Sequence, residues 1–342
     1  MLTNDTFLKA CNREPAAHTP IWIMRQAGRY LPEYRKIRAK VDFLTLCKTP
    51  ELAAEVTLQP VDILGVDAAI LFSDILIPVE AMGVGLEFHE EKGPVLANPV
   101  RDMESAERLR VINPAEDVPF VLETIKILRR HLKVPLIGFA GAPFTVATYI
   151  IEGGSSKNFL NTKRMMYRHP DVFKKLMDRI TATTTAYLKA QIEAGAQAVQ
   201  LFDSWAGVLS PSDYVKYALP HVKKIFRRIK PLGAPTIYFV NNCAGILARA
   251  KRAGADVVGV DWRLDMNKAA KTVGKSFAIQ GNLDPCVLFS TPGHIRDSAI
   301  DIVKKAEAAG GHIFNLGHGI LPETPVDNVR ALVDAVHEIK IG

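Results

Sequence analysis

Eight short apolar runs, each ending in a polar residue or a glycine, recur along this chain and alternate with stretches of helical periodicity. The runs are Ile21–Met24, Ala68–Phe72, Pro135–Phe139, Ala198–Phe202, Thr236–Val240, Val257–Val260, Phe277–Gln280 and His312–Leu316. A run apolar at every position, not every second one, marks a strand covered on both faces, as strands of a parallel sheet are. Helices are predicted near Asp5–Cys11, from Thr49-Pro50 to about Leu64, and over Val118–Leu132, Asp171–Ala194, Pro211–Ile229, Gly293–Ala309 and Pro325–Ile339. Thr49 is a plausible cap, Pro50 suits the first helical position, and Gly195 suits a helix end. Between Ile75 and Asn113 the glycines and prolines predict an excursion with a β-turn or hairpin around Met82–Pro94. Glu152–Lys157 reads as a mobile flap. Eight strand–helix units predict an α/β fold, a single (β/α)8 TIM barrel over residues 1–342, with its cleft at the C-terminal ends of the strands. The competing doubly wound sheet needs a glycine-rich phosphate loop after the first strand, and RQAGRY is not G-x-G-x-x-G.

The bulk properties narrow the function. Of 342 residues, 48% are hydrophobic and 23% charged, which supports a folded core. The net charge of +7 is spread along the chain, which argues against a nucleic-acid partner and fits a small acidic ligand. Cys11, Cys47, Cys243 and Cys286 form no C-x-x-C pair and no zinc spacing with a histidine, so free thiols in a reducing cytoplasm are expected. The opening MLTNDTFLKACNREP lacks the apolar centre of a signal peptide, and no run is long enough to cross a bilayer. The expectation is a cytoplasmic chain with no membrane partner.

The first apolar run, Ile21-Trp22-Ile23-Met24, turns abruptly cationic. Arg25 and Arg29 flank Gln26, Ala27 and Gly28, and Pro32 limits any long helix. A buried strand thus delivers two guanidinium groups and intervening backbone N–H groups to its end, which is an anion receptor. Arg35, Lys36 and Arg38 read as partners in surface salt bridges. The other strand ends carry Asp74, Gly141, Asp203-Ser204, Asn241-Asn242, Asp261, Gln280-Asn282 and His318. Asp74 serves either as a helix cap or as a carboxylate facing ligand N–H groups or developing positive charge. Tyr149 is core or ligand contact with equal weight, and Ser204 could simply open a loop. His318, between two glycines, reads as a ligand contact. No metal triad is visible, and neither H-x-H nor H-E-x-x-H occurs.

These residues carry a resemblance. PIWIMRQAGRYLPEYR, LFSDIL, GFAGAPFTVATY, QGNLDPC and NLGHG, in this order along nearly the whole chain, resemble the uroporphyrinogen decarboxylase family. The resemblance implies a (β/α)8 barrel, no cofactor and no metal, a homodimer with facing clefts, and removal of carbon dioxide from the four acetate arms of uroporphyrinogen III. It places Arg25, Gln26, Ala27, Gly28 and Arg29 on substrate carboxylates and Asp74 on the pyrrole N–H groups. Tyr149, Ser204 and His318 take the remaining substrate-binding positions, and Lys48 lies near a carboxylate. The strand end Phe239-Val240-Asn241-Asn242-Cys243 departs from the family's pattern. Asp74, as stabiliser, and Arg25, as proton donor or holder of a donor water, are the catalytic candidates. Rival readings are a zinc methyltransferase of the same superfamily, a phosphosugar enzyme using the Asn315–Gly319 glycines, and a basic nucleic-acid binder.

Overall fold

The computed structural model describes residues 2–89 and 93–339. Seven strands form one parallel sheet in the order β1 (Ala69–Ile70), β4 (Leu136–Gly141), β5 (Ala198–Asp203), β6 (Thr236–Val240), β7 (Val257–Val260), β8 (Ala278–Gln280) and β9 (Gly311–Ile313). β2 (Leu86–His89) and β3 (Gly93–Leu96) make the separate antiparallel hairpin expected in the excursion, and its tip lies outside the described residues. Helices lie between nearly all the sheet strands, among them Pro50–Leu64, Pro119–His131, Pro143–Glu152, Pro170–Ala194 and Val326–Glu338. β4, β6 and β7 are buried at every position, as strands sealed on both faces must be.

The run Ile21–Met24 departs from a regular strand. It lies between β9 and β1 and joins the two edges of the curled sheet. Trp22 N–H donates to Phe314 O at 3.3 Å, Phe314 N–H to Pro20 O at 2.8 Å, and Asp67 N–H to Ile21 O at 2.8 Å. Among the described residues its only ladder pairing is an isolated parallel bridge, Ile21 to Phe314. The reason is that side chains take the other amides. Ile21 N–H goes to Asp67 Oδ2 at 2.8 Å, Ile23 N–H to Gln26 Oε1 at 3.0 Å and Met24 N–H to Asn315 Oδ1 at 2.9 Å. Buried backbone donors must be satisfied, and here side chains replace a neighbouring strand. Inside the barrel, Trp22 Nε1 donates to Gln280 Oε1 and Gln280 Nε2 to Gln200 Oε1, each at 3.0 Å, so the apolar interior carries one polar chain.

Other differences are local. Thr49 occupies the cap position, but its hydroxyl donates back to Thr45 O instead of capping. The stretch Pro211–Ile229 is helical but includes a π turn at Tyr214–Ala218. A helix not expected from the sequence, Leu160–Arg168, follows the Glu152–Lys157 piece. The Glu152 carboxylate accepts from Thr162 N–H and Thr162 Oγ1, each at 2.8 Å, and Leu96 N–H donates to Gly153 O at 3.0 Å. The expected flap is therefore tied down at its start to both the hairpin and the next helix. All four cysteines are free, three of them buried. No helix among the described residues is long and apolar enough to cross a membrane.

Candidate active site

Arg25, Asp74, Tyr149, Ser204 and His318 all follow the C-terminal ends of strands, so one end of the barrel carries them. Arg25 takes a left-handed backbone conformation, φ 64°, at the turn where the 20–24 segment leaves the barrel. Such a φ is costly for a side chain with a Cβ and marks a constrained position. Beyond it, the N–H groups of Ala27, Gly28, Arg29 and Tyr30 donate to no acceptor among the described residues. Arg25 and Arg29 are exposed, and neither joins an ion pair among the described residues. Unspent guanidinium groups next to a row of unspent N–H groups form a receptor for anions.

Gln26 plays a different part from its neighbours. It is fully buried, its N–H donates to Ile23 O, and its side-chain amide bridges Ile23 N–H and Ala68 O. The Tyr30 hydroxyl donates to its carbonyl at 2.8 Å. Gln26 shapes the loop from within and presents no free amide to a ligand. The NLGHG glycines also serve the protein itself. A Cβ at Gly317 would lie 2.3 Å from Trp262 N, and one at Gly319 would lie 2.4 Å from Arg25 Cδ. The space beside His318 is thus filled by Trp262 and the Arg25 side chain.

Asp74 is half-buried, and its Oδ1 accepts from Leu76 N–H at 2.8 Å in a local turn; Leu76 itself holds the cap position of the helix Ile77–Ala81, which has no side-chain cap, so Asp74 does not cap that helix. Burial pushes its carboxyl above the usual range, against the Leu76 N–H and the nearby positive Arg25. Tyr149 is half-buried at the same mouth, its ring centroid 6.2 Å from that of Trp205. Burial raises its hydroxyl, and Asp74 and Arg25 act on it with opposite signs. His318 is lowered to about 4 by burial, then by Arg25 and Arg263, with Asp261 opposing, so its imidazole is neutral near pH 7. The positive charge of Arg25 thus acts on Asp74, Tyr149 and His318 alike.

The pair Asp203-Ser204 splits into two roles. Asp203 is fully buried and accepts from the Thr145 and Tyr238 hydroxyls, each at 2.7 Å. Burial moves its carboxyl up to about 6 despite both bonds. Thr145 sits one turn before Tyr149 on the helix Pro143–Glu152 and accepts from Trp205 N–H at 3.1 Å. Asp203 thus ties the helix carrying Tyr149 to the loop carrying Ser204. Ser204 lines an open recess with Asn241, Asn242 and Arg263. Lys48 is paired with the chain's own carboxylate, Glu80, at 2.8 Å. Arg263 has no place among the candidates read from sequence, because that reading stops at the first polar residue of the strand end, Asp261.

Three ligand-type side chains that are far apart in sequence do meet, at the opposite end of the barrel. His18, Asp67 and His337 hold their polar atoms within 4.8 Å of one another. Each Asp67 oxygen already accepts two donors, Oδ1 from Asn4 and His18 and Oδ2 from Ile21 N–H and His337. The cluster is complete as a hydrogen-bonded clamp.

The uroporphyrinogen decarboxylase family model matches residues 2–339. The chain belongs to that family. A uroporphyrinogen decarboxylase from Carboxydothermus hydrogenoformans is 58% identical over 338 residues, covering 98% of this chain and 97% of its own. One from Geobacter sulfurreducens is 54% identical, covering 98% and 99%. Among solved structures, a methyltransferase from Methanosarcina mazei superposes with a TM-score of 0.82 over 97% of each chain at 23% identity. At that identity the likeness speaks for the barrel fold alone. Relatives bearing the uroporphyrinogen decarboxylase name at more than half identity separate this chain from the methyltransferase reading that the shared architecture leaves open.

Proposed function

We propose that this chain decarboxylates the four acetate side chains of uroporphyrinogen III, giving coproporphyrinogen III, as a carboxy-lyase of tetrapyrrole biosynthesis. The observation that carries the reading is the sorting of charge at the mouth. Among the described residues Arg25, Arg29 and the Ala27–Tyr30 N–H groups are unspent, while the half-buried Asp74 carboxylate lies within electrostatic reach of Arg25. Peripheral carboxylates suit the first set, and pyrrole N–H groups suit the second.

The chemistry follows. A pyrrole becomes its own electron sink when a ring carbon next to the acetate-bearing carbon takes a proton. The electron pair of the bond to carbon dioxide then flows into the cationic ring and leaves an exocyclic methylene. Protonation of that methylene gives the methyl group, and loss of the ring proton restores the pyrrole. Each turnover consumes one acetate carboxylate and one proton and releases one carbon dioxide. Asp74 stabilises a positive charge that exists mainly after the first proton transfer, which is where binding energy lowers a barrier. Arg25, or a water it orients, supplies the proton. Arg29 and the loop N–H groups hold carboxylates that stay, because a guanidinium on the departing carboxylate would stabilise the ground state. Neutral His318, Tyr149 and Ser204 complete the binding surface.

Anaerobic incubation with uroporphyrinogen, followed by chromatography of the oxidised products, tests the reading. The expected result is stepwise loss of four carboxylates, and unchanged substrate overturns it. Gly319→Ala is expected to raise KM several-fold with the melting temperature kept, because its Cβ displaces the Arg25 side chain. A KM equal to that of the unaltered protein would remove Arg25 from substrate binding. The reading extends to one barrel domain over the whole chain, acting in the cytoplasm as a homodimer with facing clefts. Sedimentation of the intact protein as a monomer at micromolar concentration would remove the dimer.

A further inference from the structure

Resting on that reading, we propose that Arg263, a residue the resemblance does not assign, joins the already assigned Ser204 in holding a peripheral carboxylate arm of the substrate, in the recess between the ends of β5, β6 and β7. Ser204, Gly207, Asn241, Asn242 and Arg263 line this recess. One wall is tightly packed. A Cβ at Gly207 would lie 2.3 Å from Asn241 O, so the loop after β5 packs directly on backbone at the end of β6.

The guanidinium of Arg263 is held in a fixed plane. It stacks on the Trp262 ring, 3.8 Å from the centroid. Trp262 in turn lies edge-on to His318 at 6.1 Å, so the stack is continuous with the mouth. Nη1 donates to Asn241 Oδ1 at 3.2 Å and to Asp261 Oδ1 at 3.3 Å. Nε and Nη2 have no partner among the described residues, nor has the Ser204 hydroxyl. Asn241 turns its amide N–H toward Ser204 O at 3.4 Å, which leaves its carbonyl for Arg263.

The plainer role for Arg263 is to neutralise buried Asp261. The geometry favours more than that. Asp261 is already served by Cys243 N–H at 2.7 Å and Arg263 N–H at 3.1 Å. The side-chain contact at 3.3 Å is longer than a strong charge-assisted bond, and the Arg263 side chain stays 46% exposed. A guanidinium stacked, oriented and left with an open edge is preorganised for a planar anion on a flexible arm, which is a carboxylate.

The test compares the unaltered protein, Arg263→Gln and Arg263→Lys in two assays. In turnover of uroporphyrinogen, Arg263→Gln is expected to raise KM about tenfold, with kcat nearly kept. Arg263→Lys, which keeps the charge but not the fork, falls between. In fluorescence titration with an oxidised octacarboxylic porphyrin, the same order of affinities is expected, with melting temperatures unchanged. Equal KM values and equal titrations across the three proteins overturn the subsite. So does a loss that appears in kcat alone, or one that follows a lowered melting temperature. Failure of the unaltered protein to turn over uroporphyrinogen defeats the decarboxylase reading instead. In that case weaker porphyrin binding by Arg263→Gln still upholds the subsite, and equal or absent binding overturns it as well.

Discussion

Asp74→Asn is expected to lower kcat by about a hundredfold to a thousandfold while leaving substrate affinity nearly unchanged. The substitution keeps the shape and the oxygen that accepts from Leu76 N–H. It removes only the negative charge, which matters once the pyrrole ring becomes cationic. Removal of a ground-state contact would instead raise KM with kcat retained. The carboxyl is pushed above its usual range by burial, with the Leu76 N–H and Arg25 pulling the other way. Its ionised form is therefore held at a cost in the free protein, and the cationic intermediate relieves that cost. Two consequences separate this account from a merely structural Asp74. The acid limb of kcat/KM lies above the ordinary carboxylate range, and that limb is lost from the residual activity of Asp74→Asn. For stability the sign runs the same way. A raised folded-state pKa means that ionised Asp74 destabilises the fold at neutral pH, and this penalty disappears as pH falls below the unfolded-state value. Asp74→Asn should thus melt at the same temperature or higher near pH 7. Near-normal turnover in Asp74→Asn, measured by release of carbon dioxide, would sink the electrostatic role.

The strands that were legible in the sequence are those whose pattern has one physical cause. Thr236–Val240 and Val257–Val260 match the structure residue for residue, because a run buried on both faces must be apolar throughout. Ile21–Met24 has the same pattern but becomes a strand in position only. Its amides are taken by Gln26, Asn315 and Asp67, and the last two lie dozens to hundreds of residues away, where no local pattern reports them. The helix Leu160–Arg168 was illegible for a related reason, since its first turn is fixed by Glu152 in the preceding segment. Among the site residues, Arg25 and Asp74 follow apolar runs directly, and a polar residue there falls at the barrel mouth. Adjacent Asp203 and Ser204 could not be told apart that way. Only the structure puts Asp203 under the Thr145 and Tyr238 hydroxyls and Ser204 in the recess. Arg263 stayed hidden because its place depends on stacking against Trp262 and on the Asn241 amide, both tertiary facts.

Asp67→Ala is expected to cost about 3 kcal/mol or more of stability, with the activity of the folded fraction retained. The side chain is 1% exposed and lies just ahead of β1, at the barrel end remote from Arg25 and Asp74. Its two oxygens accept from Asn4 Nδ2 at 2.8 Å, His18 Nε2 at 2.9 Å, Ile21 N–H at 2.8 Å and His337 Nε2 at 2.9 Å. Those donors come from the N-terminal segment, the closing strand and the last helix, so one carboxylate fastens the seam where the 20–24 segment meets β1. Alanine would leave four donors without the acceptor they share. Burial alone would raise the Asp67 carboxyl, but the hydrogen bonds from His337, Ile21 N–H and His18 hold it below its usual range. His337 is raised, first by its bond to Asp67 and against the burial of its ring. The stability due to Asp67 is therefore present above the ordinary carboxylate range and lost as pH falls through the lowered value. The share due to His337 is complete below about pH 6.5 and disappears as pH rises through its raised value. Denaturant unfolding at about pH 5.5 and about pH 8.5 should show His337→Gln losing more stability, relative to the unaltered protein, at the lower pH. An equal loss at the two pH values would take the titration away from this clamp, whereas Asp67→Ala tests the seam itself at either pH. Because the clamp and the mouth lie at opposite ends of the same strands, a variant that loosens one without altering KM at the other also separates the scaffold of this barrel from its chemistry.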